Sequence, residues 1–119
     1  METRPKTIIC DIDGTIFEHC GDITKQHILQ PKMLPGVREK WREWDKQGCR
    51  FILLTGRRES TRKETEAQLT EAGIIYDTLI MNVGGGVRVL INDKKADSDM
   101  DTAIAVNLDR NEGMKDVAD

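Results

Sequence analysis

Apolar residues occur in short bursts separated by charged stretches, and their spacing alternates between strand-like and helix-like. Thr7-Ile8-Ile9-Cys10-Asp11 is a brief Ile-rich run that reads as a first strand over 7–11. Residues 16–35 carry Gly21, Pro31 and Pro35 and no clear period, which suggests a long excursion or flap. A helix is predicted over 36–47, because Val37, Trp41 and Trp44 fall at i, i+4 and i+7 and make one apolar stripe. Arg38, Glu39, Lys40, Arg42 and Glu43 fill its other faces, and Gly48 is placed to stop it. Phe51 to Leu54 reads as a second strand. A second helix is expected over 60–72, with Thr61 and Glu64 at capping-box spacing, Thr65, Leu69 and Ala72 as a thin packing face, and Gly73 as its stop. Further apolar runs predict strands over 76–81, 87–91 and 103–106.

Strands alternating with helices imply βαβ units and a mostly parallel sheet of five strands. In open parallel sheets, ligands bind beyond the carboxyl ends of the strands. Asp11, Thr55 and Asp93 each fall at the predicted carboxyl end of a different strand, so the fold would gather them. Asp13 follows Asp11 by two residues, and Gly14-Thr15 then bends the chain. Two carboxylates that close repel each other, and a cation or a shared proton relieves the repulsion. Either outcome suits chemistry on a phosphate ester.

Composition narrows the class. At 119 residues the chain reads as one domain, 1–119, near the small end for an open α/β sheet. The net charge of -3 supplies no electrostatic reason to bind nucleic acid, and 4% aromatics argues against a base-stacking platform. No apolar run approaches the roughly 20 residues needed to span a bilayer, and Met1 to Lys6 leads into a strand with no secretory core. Cys10, Cys20 and Cys49 are scattered and odd in number, which with the other features suggests reduced thiols and a cytoplasmic location. His19, Cys20 and His27 match no structural zinc spacing.

The pattern Asp11-Ile12-Asp13-Gly14-Thr15 after an apolar strand resembles the first motif of the haloacid dehalogenase superfamily of phosphotransferases. Ile52-Leu53-Leu54-Thr55-Gly56-Arg57 is similar to its second motif, and Leu90-Ile91-Asn92-Asp93 with Asp97 to its acidic fourth motif. The blocks run in order from about residue 7 to 97. The resemblance implies a three-layer, Rossmann-like fold and a Mg²⁺-dependent phosphomonoester hydrolase working through an aspartyl-phosphate. In that reading Asp11 is the nucleophile, Asp13 the general acid/base, and Thr55 with the Gly56 amide binds phosphoryl oxygens. Arg57 and Asn92 would contact substrate. Asp11, the Asp13 carbonyl and Asp93 would hold Mg²⁺.

The superfamily also places a lysine between its second and fourth motifs. Here that interval holds only Lys63, so Lys95 is the expected replacement, with Lys94 and then Arg88 as alternatives. Five residues, Asn82 to Gly86, join the third and fourth predicted strands and reach about 17 Å, barely enough for the superfamily's usual strand order. Neither inter-motif interval has room for a cap domain. A capless, open site suggests a small phosphorylated substrate, a sugar or related metabolite, with a lid from 16–35 or a wall from a second copy in a homo-oligomer. No nucleic acid and no membrane is expected as partner. A receiver-like phospho-Asp signalling module and a catalytically silent Mg²⁺/phosphate-binding protein are the competing readings.

Overall fold

The computed structural model describes residues 4–118. Its order is β1 (Thr7–Asp11), α1 (Ile23–Ile28), α2 (Val37–Lys46), β2 (Arg50–Leu54), a single 3-10 turn (Glu59–Thr61), α3 (Arg62–Ala72) and β3 (Thr78–Ile80). The strands form one parallel sheet in the order β1-β2-β3. Ile9 lies beside Ile52, Cys10 beside Leu53, and Leu53 beside Leu79.

The strand order decides where the helices go. Both crossovers step in the same direction, and right-handed connections then put their helices on one face of the sheet. Burial follows the two-residue repeat. Cys10, Phe51, Leu53 and Leu79 are buried on the helix side, whereas Ile9 and Ile80 on the other side are 46% and 44% exposed. On the covered face Trp41 of α2 stacks on Phe51 of β2 with ring centroids 4.8 Å apart, and Trp44 meets Trp41 edge-on. The Trp41 indole N–H donates to the Ile75 carbonyl, which satisfies its one polar atom.

The N-terminal two-thirds follows the sequence pattern closely. The 7–11 strand, the Val37-Trp41-Trp44 helix and the 51–54 strand form within one residue of expectation, and Gly73 ends α3 in the left-handed conformation. Three details differ. The 16–35 excursion contains a six-residue helix, α1, capped by the Asp22 side chain accepting from the Lys25 amide. The Thr61–Glu64 capping box is not made, because the Thr61 hydroxyl instead donates to the Arg58 carbonyl and closes the 3-10 turn. Gln68 joins Thr65 and Leu69 on the buried face of α3.

The expected five-stranded, three-layer architecture is corrected to three strands with helices on one face. Residues 87–91 and 103–106 form no strand. A parallel neighbour needs a crossover of a dozen or more residues, and Asn82 to Gly86 supplies five. Val87, Ile91 and Ile104 are accordingly 95%, 88% and 78% exposed, in an arm that leaves the sheet. The arm raises the radius of gyration to 15.0 Å, against about 13.5 Å for a compact chain of this length.

The chain then returns. Met114 is buried in the core, and its amide donates to the Pro35 carbonyl. At that crossing Gly36 has φ +83°, and a Cβ there would stand 2.6 Å from the Lys115 amide nitrogen. Gly36→Ala is therefore expected to destabilise the fold by about 2 kcal/mol, left-handed strain and backbone collision acting together. A urea melt checks this, and an unchanged midpoint would remove the crossing as a constraint.

Candidate functional site

The site grows from the carboxyl ends of β1 and β2. Past Asp11 the chain turns so tightly that the Ile12 carbonyl accepts from the amides of Thr15, Ile16 and Phe17. Gly14 makes this turn at φ +88°. Ile12, Ile16 and Phe17 point inward and are fully buried, which anchors the loop and leaves Asp11 and Asp13 on its rim. Past β2, the Thr55 amide donates to the Ile80 carbonyl, the Val83 amide to the Thr55 carbonyl, and the Asn82 amide to the Arg57 carbonyl. Asn82 adopts φ +60° there. Gly56 passes close to the Val83 carbonyl, leaving a Cβ at 56 only 3.3 Å from it.

Arg57 is the hub. Its Nε and Nη2 donate to the two carboxylate oxygens of Asp13, each at 2.8 Å, and the side chains are only 7% and 15% exposed. Its Nη1 donates to Thr65 Oγ1 at 3.0 Å and Gln68 Oε1 at 2.6 Å on α3. Gln26 of α1 donates to Asp13 Oδ1 at 2.8 Å. Gln68 in turn donates to the carbonyls of Gln26 and Leu29. One bidentate pair thus ties the β1 loop to α1 and α3. Burial of these charges is tolerable because every partner is present. No described buried side-chain nitrogen or oxygen lacks a hydrogen bond.

Asp11 lies 35% exposed at the strand end and accepts from Arg88 Nη1 at 3.0 Å. Thr55 is buried, and its hydroxyl oxygen accepts from the Arg57 amide, closing the 55–57 turn. The remaining expected residues stand on the arm. Asn92 donates to the carbonyl and hydroxyl of Thr102, the Thr102 hydroxyl donates to the Asp93 carbonyl, and Lys94 pairs with Asp101 at 3.4 Å. The 92–102 segment is therefore tied to itself, with Asn92, Asp93 and Lys95 exposed. The structure brings Asp11, Asp13, Thr55, Gly56 and Arg57 to the ends of β1 and β2, while the Asn92 side chain and the Asp93 carbonyl bond to Thr102.

The donor set can be weighed against Mg²⁺. Among the described residues no group of three or more His, Cys, Asp or Glu side chains is placed to hold a metal. Both Asp13 oxygens are committed to Arg57. Asp11 retains an exposed carboxylate, and Mg²⁺ held by one or two carboxylates, water and substrate phosphate needs no more from the protein. The residues fit that loose mode, not a protein-built cage.

Gln26, Thr65 and Gln68 carried no signal as site residues in the sequence. They reach Arg57 only because α1 and α3 pack together. The 107–114 segment, polar and just past the arm, also reaches the site loop: the Asn111 amide donates to the Gly14 carbonyl, and its side chain bonds both the amide and carbonyl of His19. Arg110 packs over Gly14.

No protein-family model matches the chain, and no curated protein matches it significantly. Solved structures do match. A chain of the Pnkp1/Rnl/Hen1 complex is similar at TM-score 0.58 and 32% identity, over 71% of this chain and 30% of that one. A chain of the Pnkp1/Rnl/Hen1 RNA repair complex is similar at TM-score 0.57 and 31% identity, over 72% and 28%. The present chain spans less than a third of the length of either.

These neighbours correct three expectations. The assignment to the haloacid dehalogenase superfamily is withdrawn, since no family model supports it and the matching structures come from an RNA repair complex. A hydrolase of phosphorylated sugars acting through an aspartyl-phosphate is withdrawn with it. So is the expectation that nucleic acid plays no part, since the matching chains belong to an RNA repair complex and net charge describes the whole chain rather than any local surface. The Rossmann-like description falls with the three-stranded sheet. Of the cytoplasmic expectation, what stands is that no described helix is long and apolar enough to cross a membrane.

Two predictions come from this geometry. Arg57→Ala leaves Asp13 buried and unpaired, so it should cost about 3 kcal/mol in a denaturant melt; a loss below about 1 kcal/mol would show the pair to be dispensable. Burial, reinforced by adjacent Asp11, pushes the Cys10 thiol up to about 12 from its ordinary 9.0. The unfolded thiol ionises first, so this contribution to stability is complete below about pH 9 and is lost as pH rises towards about 12. In native protein near neutral pH a thiol reagent should therefore modify exposed Cys20 alone, sparing buried Cys10 and Cys49 until unfolding.

Proposed function

We propose that this chain is an enzymatic module of RNA repair that carries out divalent-cation-dependent phosphoryl chemistry at RNA ends. The reading is supported chiefly by the coincidence of two carboxylates at a strand end, Asp11 and Asp13, with similarity above 30% identity to chains of an RNA repair complex over 71–72% of its length. Phosphate at an RNA end is the chemical class common to both.

In this proposal Asp11 is the group that meets the phosphoryl centre, because its carboxylate is accessible. Asp13 manages the proton of the ribose oxygen, and Arg57 sets its orientation. Thr55 and the Gly56 amide shape the turn beside the phosphoryl oxygens. Asn92, Asp93 and Lys95 are the further residues proposed to meet substrate or metal. Mg²⁺ is the proposed cofactor, and when bound it would offset the charge between Asp11 and the phosphate.

The test is incubation of the purified chain and Mg²⁺ with RNA oligonucleotides bearing 3′-phosphate, 2′,3′-cyclic phosphate or 5′-phosphate ends, beside phosphorylated sugars. Conversion of one RNA end but no sugar is expected, with Asp11→Asn inactive and Asp13→Asn slowed by about 10²–10⁴-fold. Absence of Mg²⁺-dependent change at every RNA end would overturn the proposal. A second reading, a docking module within a larger repair assembly, is favoured by the half-covered sheet face of Ile9 and Ile80. It would gain from measurable RNA binding that leaves every end unaltered.

A further inference from the structure

The Gln26 carboxamide has two unlike ends, a donor and an acceptor, and its surroundings suit only one orientation. Gln26 is buried on α1. Its Nε2 donates to Asp13 Oδ1 at 2.8 Å and to the Glu18 carbonyl at 2.9 Å, and its Oε1 accepts from the Cys20 amide at 2.9 Å. Turned over, it would set an oxygen against a carboxylate and a carbonyl, and an NH₂ group against an N–H. We propose that Asn111 is a positioning residue for Asp13, acting through residues 19–20 and the Gln26 carboxamide; its effect on rate rests on the phosphoryl reading above.

Asn111 grips the loop that follows Asp13 from outside. Its Oδ1 accepts from the His19 amide at 2.7 Å and its Nδ2 donates to the His19 carbonyl at 3.1 Å, so one side chain holds both backbone groups of one residue. Its own amide donates to the Gly14 carbonyl at 2.9 Å. The loop is thereby held at residue 14 and again at residue 19. Asn111 does this at φ +67°, in the left-handed region where Asn is enriched over other side chains. Three residues on, buried Met114 ties the same segment to the Pro35 carbonyl, which gives the grip a fixed base.

Cys20 follows His19 directly and is exposed, so burial does not place its amide. Glu18 has an anchor of its own, its amide donating to the Lys32 carbonyl at 2.8 Å. Loss of the Asn111 side chain therefore loosens the 19–20 end of the loop, and with it the acceptor end of Gln26. Asp13 receives the change at Oδ1, which accepts from Gln26 Nε2 as well as Arg57 Nη2, whereas Oδ2 accepts from Arg57 Nε. Arg57 comes to the carboxylate from the turn after β2. Gln26 comes from the excursion after β1, and so transmits the placement of residues 19–20. A reacting group has to be held to within about 0.5 Å, a tolerance that one loosened carboxamide exceeds.

The experiment uses the whole chain, isotope-labelled for magnetic resonance, as wild type, Asn111→Gly, Gln26→Ala and the double variant. Glycine accepts the left-handed backbone and keeps the amide bond to Gly14, so only the side chain is removed. In Asn111→Gly the Cys20 amide is expected to exchange about tenfold faster, and the resonances of the Gln26 NH₂ and the Asp13 carboxylate carbon to move. In Gln26→Ala the Asp13 resonance is expected to move, and adding Asn111→Gly to move it no further. At any RNA end that wild type converts, with every variant fully folded, each single variant should lower kcat about tenfold with KM within about twofold, and the double variant no more than Gln26→Ala alone. A Cys20 amide that exchanges no faster, Gln26 and Asp13 resonances indifferent to Asn111→Gly, losses that add in the double variant, or a loss of stability in urea with kcat intact would each overturn the inference. The two readings fail separately. Coupled movement of the Gln26 and Asp13 resonances in a wild type that converts no RNA end sinks the proposed function alone. RNA-end turnover with both resonances indifferent to Asn111→Gly sinks this inference alone.

Discussion

The bidentate pair between Arg57 and Asp13 is the constraint on which the site depends. Asp13 sits on a tight loop after β1, Arg57 on the turn after β2, and these adjacent strands place the two side chains within reach. Two charges this far from water are stable only with all their hydrogen bonds made. Gln26, Thr65 and Gln68 complete the set, which draws α1 and α3 to the same point. Packing of the excursion after β1 and charge pairing at the site are therefore one arrangement.

That arrangement gives the two carboxylates different environments. Asp13 is oriented and enclosed, with each oxygen assigned. Asp11 is half-buried and accepts from Arg88. The proposed phosphoryl chemistry would draw on that asymmetry, with the accessible acid meeting the phosphorus and the enclosed one the proton. The buried loop residues Ile12, Ile16 and Phe17 supply the rigidity, and the returning 107–114 segment braces the same loop from outside.

The sheet itself is unusual in having one dressed face. Trp41, Trp44 and Phe51 fill the helix side, whereas Ile9 and Ile80 look outward and the apolar arm beyond Gly86 lies exposed. The matching chains, of which the matched region covers 30% and 28%, are part of an RNA repair complex. An apolar face and an apolar arm are costly in water and are ordinarily covered.

Local pattern alone determined the elements whose signal is local. The Ile-rich run at 7–11, the Val37-Trp41-Trp44 stripe and the strand at 51–54 were legible because burial on one face imposes a period that residue order preserves. The positions of Asp11, Asp13, Thr55 and Arg57 at strand ends were legible for the same reason. Tertiary structure alone decided which apolar runs became strands. Leu90 and Ile91 read like Leu53 and Leu54, but a five-residue link cannot return them to a parallel edge, so connection length overruled composition. It alone decided the partners of Arg57 and Asp11 as well. Gln26, Gln68 and Arg88 are ordinary polar residues in their own neighbourhoods, and their meaning lies in contacts across 11 to 77 residues of chain that no local period encodes.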